Sequence, residues 1–471
     1  MSRGETFVGP AGRIAMTAMV WLRRDLRRAD LPLLAAAHDH SGGAPVKVVF
    51  VLDPVFLEGA GAARTAWLAA TLLALRQSYE GRLTLLEGDA TEVIPRVVSA
   101  GGITSVHVST ETEPGGVERD RQVARALGRV GVEWVETGSP YAVTPGRVRT
   151  KAGGPHGTFS SFARTWVEHG WRAPAEEPAD LALVPDASDQ GAWARVEQLL
   201  RAPGAPELPP AGEVAAHERW SQFLADDLDG YSTQRDRADL AATSQLSPHL
   251  KFGVLHPRTL LADLAPRPGQ GAERFRTELA WREFYADVLH HHPGSLTGDL
   301  RPTLAGMAYD PDGDHVEAWR RGRTGFPLVD AGMRQLLATG WMHNRVRMVT
   351  ASFLTKDLHV WWPIGAQWFL DHLVDGDLAS NTHGWQWVAG TGTDAAPYFR
   401  VFNPVKQGLT HDPQGDYVRR WVPELAHLAG DLVHQPWEAS DGYAHGYPTR
   451  IIDHADERRE ALARLEMARH A

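Results

Sequence analysis

The alternation of strand-like and helix-like segments in the first third of this chain gives out near residue 212, and that break constrains the fold more than any other feature. Short apolar runs, several of them β-branched, occupy 19–22, 46–52, 83–87, 105–109 and 132–136, with helical spacing between them over stretches such as 62–79 and 116–130. Such alternation builds a parallel sheet with helices on both faces, and ligands of such sheets sit past the carboxyl ends of the strands. Beyond 212 the strand signal fades, and 272–291, 328–339, 344–354 and 365–373 carry helical spacing. A chain of 471 residues exceeds one compact core. The expected fold is an α/β N-terminal domain with a Rossmann-like parallel sheet, plus a mostly α-helical C-terminal domain. The expected boundaries are a loose extension over 1–17, an α/β domain over 18–165, a connector over 166–212 and a helical domain over 213–471. The connector is rich in Ala and Pro and ends in RAPGAPELPPAG.

Composition excludes several function classes. No apolar run approaches the roughly 20 residues of a membrane span, and 1–17 lack a signal peptide's apolar core, so a cytoplasmic protein with no membrane role is expected. With no cysteine, disulfides and thiolate chemistry are excluded. A formal net charge of −10 argues against a general nucleic-acid coat and leaves room for a local basic patch. The 17 tryptophans invite a second role beside packing, because indoles stack on bases and pass electrons.

Four stretches carry candidate chemistry. In the first, which begins at Tyr231, the run Thr243-Ser244-Gln245-Leu246-Ser247-Pro248 leads into a helix. Hydroxyls and free N–H groups at a helix start suit a phosphate, and they equally suit a plain N-cap. In the second, Glu278, Trp281 and Tyr285 share one helix face, where a carboxyl among aromatics needs a hydrogen bond or a proton. An amphipathic helix with a peripheral Glu is the alternative. The adjacent His290-His291-His292 has no matching ligand spacing, and no metal is expected. In the third, Asn344 and Met348 face one way at i, i+4, while Arg345 and Arg347 are expected to point elsewhere. In the fourth, Asp375, Asp377, Asn381, Trp385 and Trp387 crowd into thirteen residues, and two Asp this close need a cation or a ligand between them.

These stretches together resemble the photolyase/cryptochrome family. The most specific segments are WREFY at 281–285, TGWMHNR at 339–345, and DGDLASN at 375–381 on through Pro404; the match runs from VWLRRDLR at 20–27 to about Ala468. The resemblance implies a noncovalent FAD folded into a U in the helical domain, and a light-driven enzyme that splits pyrimidine dimers in ultraviolet-damaged DNA. It assigns Tyr231 and Thr243, Ser244, Gln245, Leu246 and Ser247 to the flavin's phosphates, with Arg282 assisting. It pairs Arg347 with Asp375 beside the flavin ring, places Asp377 on the ring or ribitol, and sets Asn381 toward flavin N5. Glu278 would hydrogen-bond the dimer as a neutral, raised-pKa carboxyl, with Asn344 adding polar contacts and Met348, Trp281 and Trp387 forming the walls. The dimer would be flipped out of the duplex. Arg235, Arg345, Arg400 and Lys406 are the candidates for DNA phosphate contacts.

Within the family, neither Asn344 nor Met348 is the histidine expected of (6-4) enzymes, and Glu278 and Trp281 are both present. The chain also ends soon after Arg469, without the long tail of many cryptochromes. The class I cyclobutane-dimer branch is therefore expected, with a blue-light photoreceptor signalling through a protein partner as the alternative. Trp385 and Trp362 match the inner and middle members of the family's electron relay. The outer position falls on Tyr309, with Trp361 and Trp319 as substitutes. Segments LKFG at 250–253 and ETEP at 111–114 resemble the antenna site for 8-hydroxy-5-deazaflavin, with Arg64, Glu111, Glu113 and Lys251 as contacts. Methenyltetrahydrofolate or an empty site is the alternative. A monomer is expected.

Overall fold

A computed structural model describes residues 17–201, 204 and 206–470. The extension expected over 1–17 lies outside these except for Thr17, as do connector positions 202, 203 and 205. Five strands, β1 (Thr17–Leu22), β2 (Lys47–Leu52), β3 (Leu83–Glu87), β4 (Ile103–Val108) and β5 (Glu133–Glu136), form one parallel sheet in the order β3-β2-β1-β4-β5. Crossover helices α1 (Pro32–Ser41), α2 (Ala62–Ser78), α3 (Ala90–Gly101) and α4 (Pro114–Arg129) cover both faces. The strands read as continuous apolar runs because both faces are buried. On β1, Ala18, Val20 and Leu22 enter one core, while Met19 and Trp21 enter the other with Val49, Val106 and Leu127. The first core does not stop at the sheet. It continues through Trp67 and Leu72 to Phe223, Phe275, Leu279 and Phe284, so the two domains share it.

The strand order reverses at β1/β4, and the residues just past those two strands occupy the crevice where α/β sheets place their ligands. Here those residues are Arg23 and Arg24 after β1, and Glu111 and Glu113 after β4.

The stretch expected to be the connector is held at several of its described residues. Helix α5 (Phe159–His169) buries Trp166 in its last turn, and α6 (Ala192–Leu200) packs on α2. Val46 N donates to the Ala182 carbonyl and Val184 N to the Val46 carbonyl, both at 2.9 Å, and Leu85 N donates to Ser188 Oγ at 2.8 Å. Its apolar residues Leu183, Ala192 and Val196 lie in the shared core, so the Pro and Ala content marks its turns and not a free run.

The helical domain is built on α7 (Ser247–Lys251), α8 (Gln270–His291), α9 (Pro327–Thr339), α10 (Asn344–Ser352), α11 (Trp362–His372) and α12 (Leu378–Ala389), and closes with α13 (His454–His470). Helix α10 runs into a π turn over Phe353–Asp357, so the continuous helix expected over 344–354 is interrupted. Gly253 sets the contact between the domains. A Cβ there, at φ +64°, would lie 1.9 Å from the Arg24 carbonyl oxygen. That close approach lets Leu26 N donate to the Phe252 carbonyl at 3.1 Å. Among the described residues, no helix is long and apolar enough to cross a membrane.

Candidate active site

A cavity of about 720 Å³ opens between α7, α8, α10 and α12, within the roughly 300–1,000 Å³ usual for small-ligand sites. Glu278 and Trp281 reach it from α8, Asn344 and Met348 from α10, and Trp387 from α12. Tyr285 lines it too, one turn beyond Trp281, as the i, i+3, i+7 spacing requires. Trp281 stacks on Phe159 of α5 at 3.7 Å with only 6° between the rings, so α5 holds its orientation.

Burial pushes the Glu278 carboxyl above its ordinary range, with the Arg235 and Arg345 charges opposing. The same carboxyl meets Arg235 at 2.9 Å and Arg274 at 3.0 Å. Arg345 meets Asp236 at 2.8 Å. Two of the arginines expected to hold DNA phosphates are thus paired with carboxylates at the cavity wall. Arg400 lines the cavity and is exposed; Lys406 is exposed beside it, one residue from the lining Gln407.

Helix α10 corrects one expectation. Arg345 and Arg347 do not point away from Asn344 and Met348; all four line the cavity. Cβ spacing on a helix misjudges arginines, whose long stems carry the guanidinium around the helix. Arg347 donates to both oxygens of Asp375, at 2.8 and 3.1 Å, and to the Met342 carbonyl at 2.8 Å.

Asp377 has a different partner. It caps α12 by accepting from Ser380 N at 2.9 Å, and it accepts from Arg24 of the α/β domain at 2.9 Å. Burial works against its charge, but Arg24, Lys251 and Arg282 hold the carboxyl well below the usual range. The crowded Asp pair is therefore tolerated by one arginine for each member. Asn381 is anchored by donating to the Ala366 carbonyl at 3.0 Å.

Ser247, Lys251 and Arg282 also line the cavity. Arg282 donates to the carbonyls of Pro140 and Leu250 at 3.1 and 3.0 Å. Thr243, Ser244, Gln245 and Leu246 lie just ahead of the lining Ser247, without lining the cavity themselves. Leu246 is the N-cap of α7 and no side chain caps that helix, so a simple hydroxyl cap does not explain the run. Tyr231 is buried behind the wall against Phe223 and Phe275, with Arg235 within reach of its hydroxyl.

The antenna candidates converge on the β1/β4 crevice with a residue that sequence reasoning missed. Arg24 contacts Glu113 at 2.6 Å and Glu111 at 3.7 Å while bonding Asp377, and Lys251 reaches Glu113 at 3.4 Å. Arg64 makes no ion pair with this group and donates to the carbonyls of Leu370 and Gly59, but it lies near enough for the Glu113 charge to act on it. Arg24 sits inside the VWLRRDLR segment, so its motif was visible though its role was not.

Of the relay candidates, Trp385 lines the cavity and Trp362 is buried on α11. Gly365, one turn after Trp362, receives the benzo edge of Trp385. Tyr309 is half-buried against Tyr398 and Leu465. Trp361 lies 6.4 Å from Trp362 between ring centroids and is 37% exposed. Trp319 lies 6.2 Å from Trp385 and is fully buried.

Seven lysine or arginine side chains and three acidic ones line the cavity, which sets a local basic site in a chain of net charge −10. Residues 18–179 match the family described as DNA photolyase, and 275–467 match the FAD binding domain of DNA photolyase. The chain belongs to the DNA photolyase family. A deoxyribodipyrimidine photo-lyase of Halobacterium salinarum is 38% identical over 96% of this chain and 99% of its own length. One from Streptomyces griseus is 40% identical over the same shares. The crystal structure of a class III photolyase from Agrobacterium tumefaciens superposes with a TM-score of 0.88 at 34% identity, covering 98% of this photolyase and all of that chain.

Proposed function

We propose that this photolyase uses light to split cyclobutane pyrimidine dimers in ultraviolet-damaged DNA, with FAD as its cofactor. The observation that supports this best is the convergence of Glu278, Asn344, Met348, Trp281 and Trp387 on one basic-walled cavity.

The lining fits a flavin dinucleotide. Lys251, Arg282 and Ser247 offer cationic and hydroxyl partners for a diphosphate, and Phe369, Leu373, Trp385 and Val388 make an apolar slot for a planar ring. When bound, the reduced flavin supplies the electron whose addition weakens the dimer's ring bonds. Asp375 with Arg347, and Asn381, hold the ring's polar edge. Glu278 turns from Arg235 to the dimer's carbonyl oxygens, and as a neutral acid donates its proton in a hydrogen bond to the charge that develops there. Trp281 and Trp387 exclude water and give the flipped bases a surface to stack on. Arg400 and Lys406 hold the flanking phosphates, and Arg235 and Arg345 join them once the dimer enters.

We place the enzyme with the class I cyclobutane branch, on Asn344 and Met348 together with Glu278, and read it as a cytoplasmic monomer. The antenna is 8-hydroxy-5-deazaflavin, held by Lys251, Arg24, Glu111 and Glu113, with Arg64 beside them. The class III identity of the Agrobacterium relative makes extracted pigment the deciding observation: a folate spectrum would overturn the deazaflavin assignment.

The test of function is repair of ultraviolet-damaged oligothymidylate by the reduced enzyme, in blue light and in darkness. Light-dependent recovery of thymine absorbance is expected. Its absence with FAD bound and reduced would overturn the reading in favour of (6-4) repair or signalling.

A further inference from the structure

Asp299 lies outside the cavity, yet it is held in place with unusual care. Its carboxylate Oδ1 accepts the indole N–H of Trp362 at 2.7 Å, and the N–H of Trp361 reaches the same oxygen at 3.4 Å. The segment around it is clamped by Gln386, which is fully buried next to Trp385 on α12. Gln386 Nε2 donates to the carbonyls of Ser295 and Gly298 at 2.8 and 3.2 Å, and its Oε1 accepts from Leu300 N at 2.8 Å. Those bonds fix the backbone on both sides of Asp299. The carboxylate is also close enough to Tyr309 for its charge, after burial, to help push that phenol up.

A neutral indole N–H needs no ionised acceptor, and a bond between them is modest in ordinary packing. The situation changes when the indole loses an electron. Its N–H becomes strongly acidic, and a carboxylate 2.7 Å away in a half-buried setting stabilises the positive charge and can take the proton. We propose that Asp299 is the proton acceptor of the Trp362 indole during photoreduction. The inference rests on the relay reading of Trp385 and Trp362.

The step balances simply. One electron leaves the Trp362 indole for the oxidised Trp385, whose own electron has gone to the photoexcited oxidised flavin of the proposed reading. The Nε1–H bond of Trp362 breaks, and its proton forms an O–H bond on the Asp299 carboxylate. The products are a neutral indolyl radical and a neutral carboxylic acid. Return of the electron then needs the proton to come back with it, which slows recombination, so the site holds oxidation away from the cavity until Trp361, Tyr309 or an external thiol refills it.

The experiment is transient absorption of the oxidised, FAD-loaded enzyme after a light pulse, in H₂O and D₂O. Wild type, Asp299→Asn, Asp299→Glu and Trp362→Phe are compared. The readout is the protonation state of the tryptophan radical, which has distinct cation and neutral spectra, and not repair. Asparagine accepts a similar hydrogen bond but not the proton. Wild type is expected to form the neutral radical with a rate that falls in D₂O. Asp299→Asn should show loss of the neutral form and faster decay of the cation, and Asp299→Glu should restore the neutral form. Neutral radical forming at the wild-type rate in Asp299→Asn would overturn the proposal while leaving the relay standing. Unchanged radical formation in Trp362→Phe would overturn the relay reading and this inference with it.

Discussion

Glu278 has two arginine partners in the structure and, in the proposed function, a third in the dimer. Burial pushes its carboxyl up, while Arg235 and Arg274 hold it in the free protein. In the proposed reading, substrate replaces those contacts with one that favours the neutral acid. A hydrogen bond to a charged group contributes ~1.5–3 kcal/mol, so Glu278→Ala is expected to lower ring cleavage per absorbed photon about ten-fold or more. Glu278→Gln, which keeps a donor and carries no charge, should retain most of the yield. Equal yields in wild type and Glu278→Ala would remove the residue from the mechanism. Glu278 was legible in the sequence because a carboxyl at helical spacing from two aromatics is chemically conspicuous. Its ion pair with Arg235, 43 residues upstream, was not, because nothing local ties the two together.

At the scale of elements, the expected helices agree with the observed ones to within three residues, except where α10 passes into the π turn over Phe353–Asp357. That turn buries Lys356, whose Nζ donates to the Arg400 carbonyl at 3.0 Å, and burial brings its pKa down to about 7. It also buries Asp357, which burial pushes up to about 6 while the hydrogen bond from His454 opposes. Helix α13 is docked there by the His454–Asp357 contact at 2.5 Å, by Glu457 to His359 at 2.8 Å and by Arg464 to Asp310 at 2.8 Å. Periodicity cannot reveal a π turn whose partners arrive from Arg400 and from the far end of the chain. His454→Ala leaves a buried carboxyl without its partner. It is expected to cost ~1–3 kcal/mol, read as a lower urea midpoint with an unchanged slope. A midpoint equal to wild type would show that α13 docks without this contact.

For the whole molecule, the decisive contacts are those between the two domains. Glu283, inside the WREFY segment, accepts from Ala142 N, from Val143 N at 3.1 Å and from the Trp166 indole, and so ties α8 to the end of the α/β domain and to α5. Burial pushes its carboxyl up to about 7 from 4.5, with those hydrogen bonds opposing. Between these values the native state keeps a proton that the unfolded chain has released. Stability from this group is therefore complete below about pH 4.5 and declines as pH rises to about 7, by up to about 3 kcal/mol. Urea midpoints measured across this window should fall in wild type and fall less steeply in Glu283→Gln; identical slopes would rule out Glu283 as the titrating group. The sequence alone determined the class of each domain, because short β-branched apolar runs and the helical period of 3.6 are local properties of the chain. It also determined most of the cavity wall, because residues three, four and seven apart on one helix must share a face. Only the tertiary structure decided the long-range pairs. Arg24 on Asp377, Gln386 around Asp299 and Arg235 on Glu278 are set by how packed elements meet, and a charge's partner is chosen by distance in space rather than along the chain.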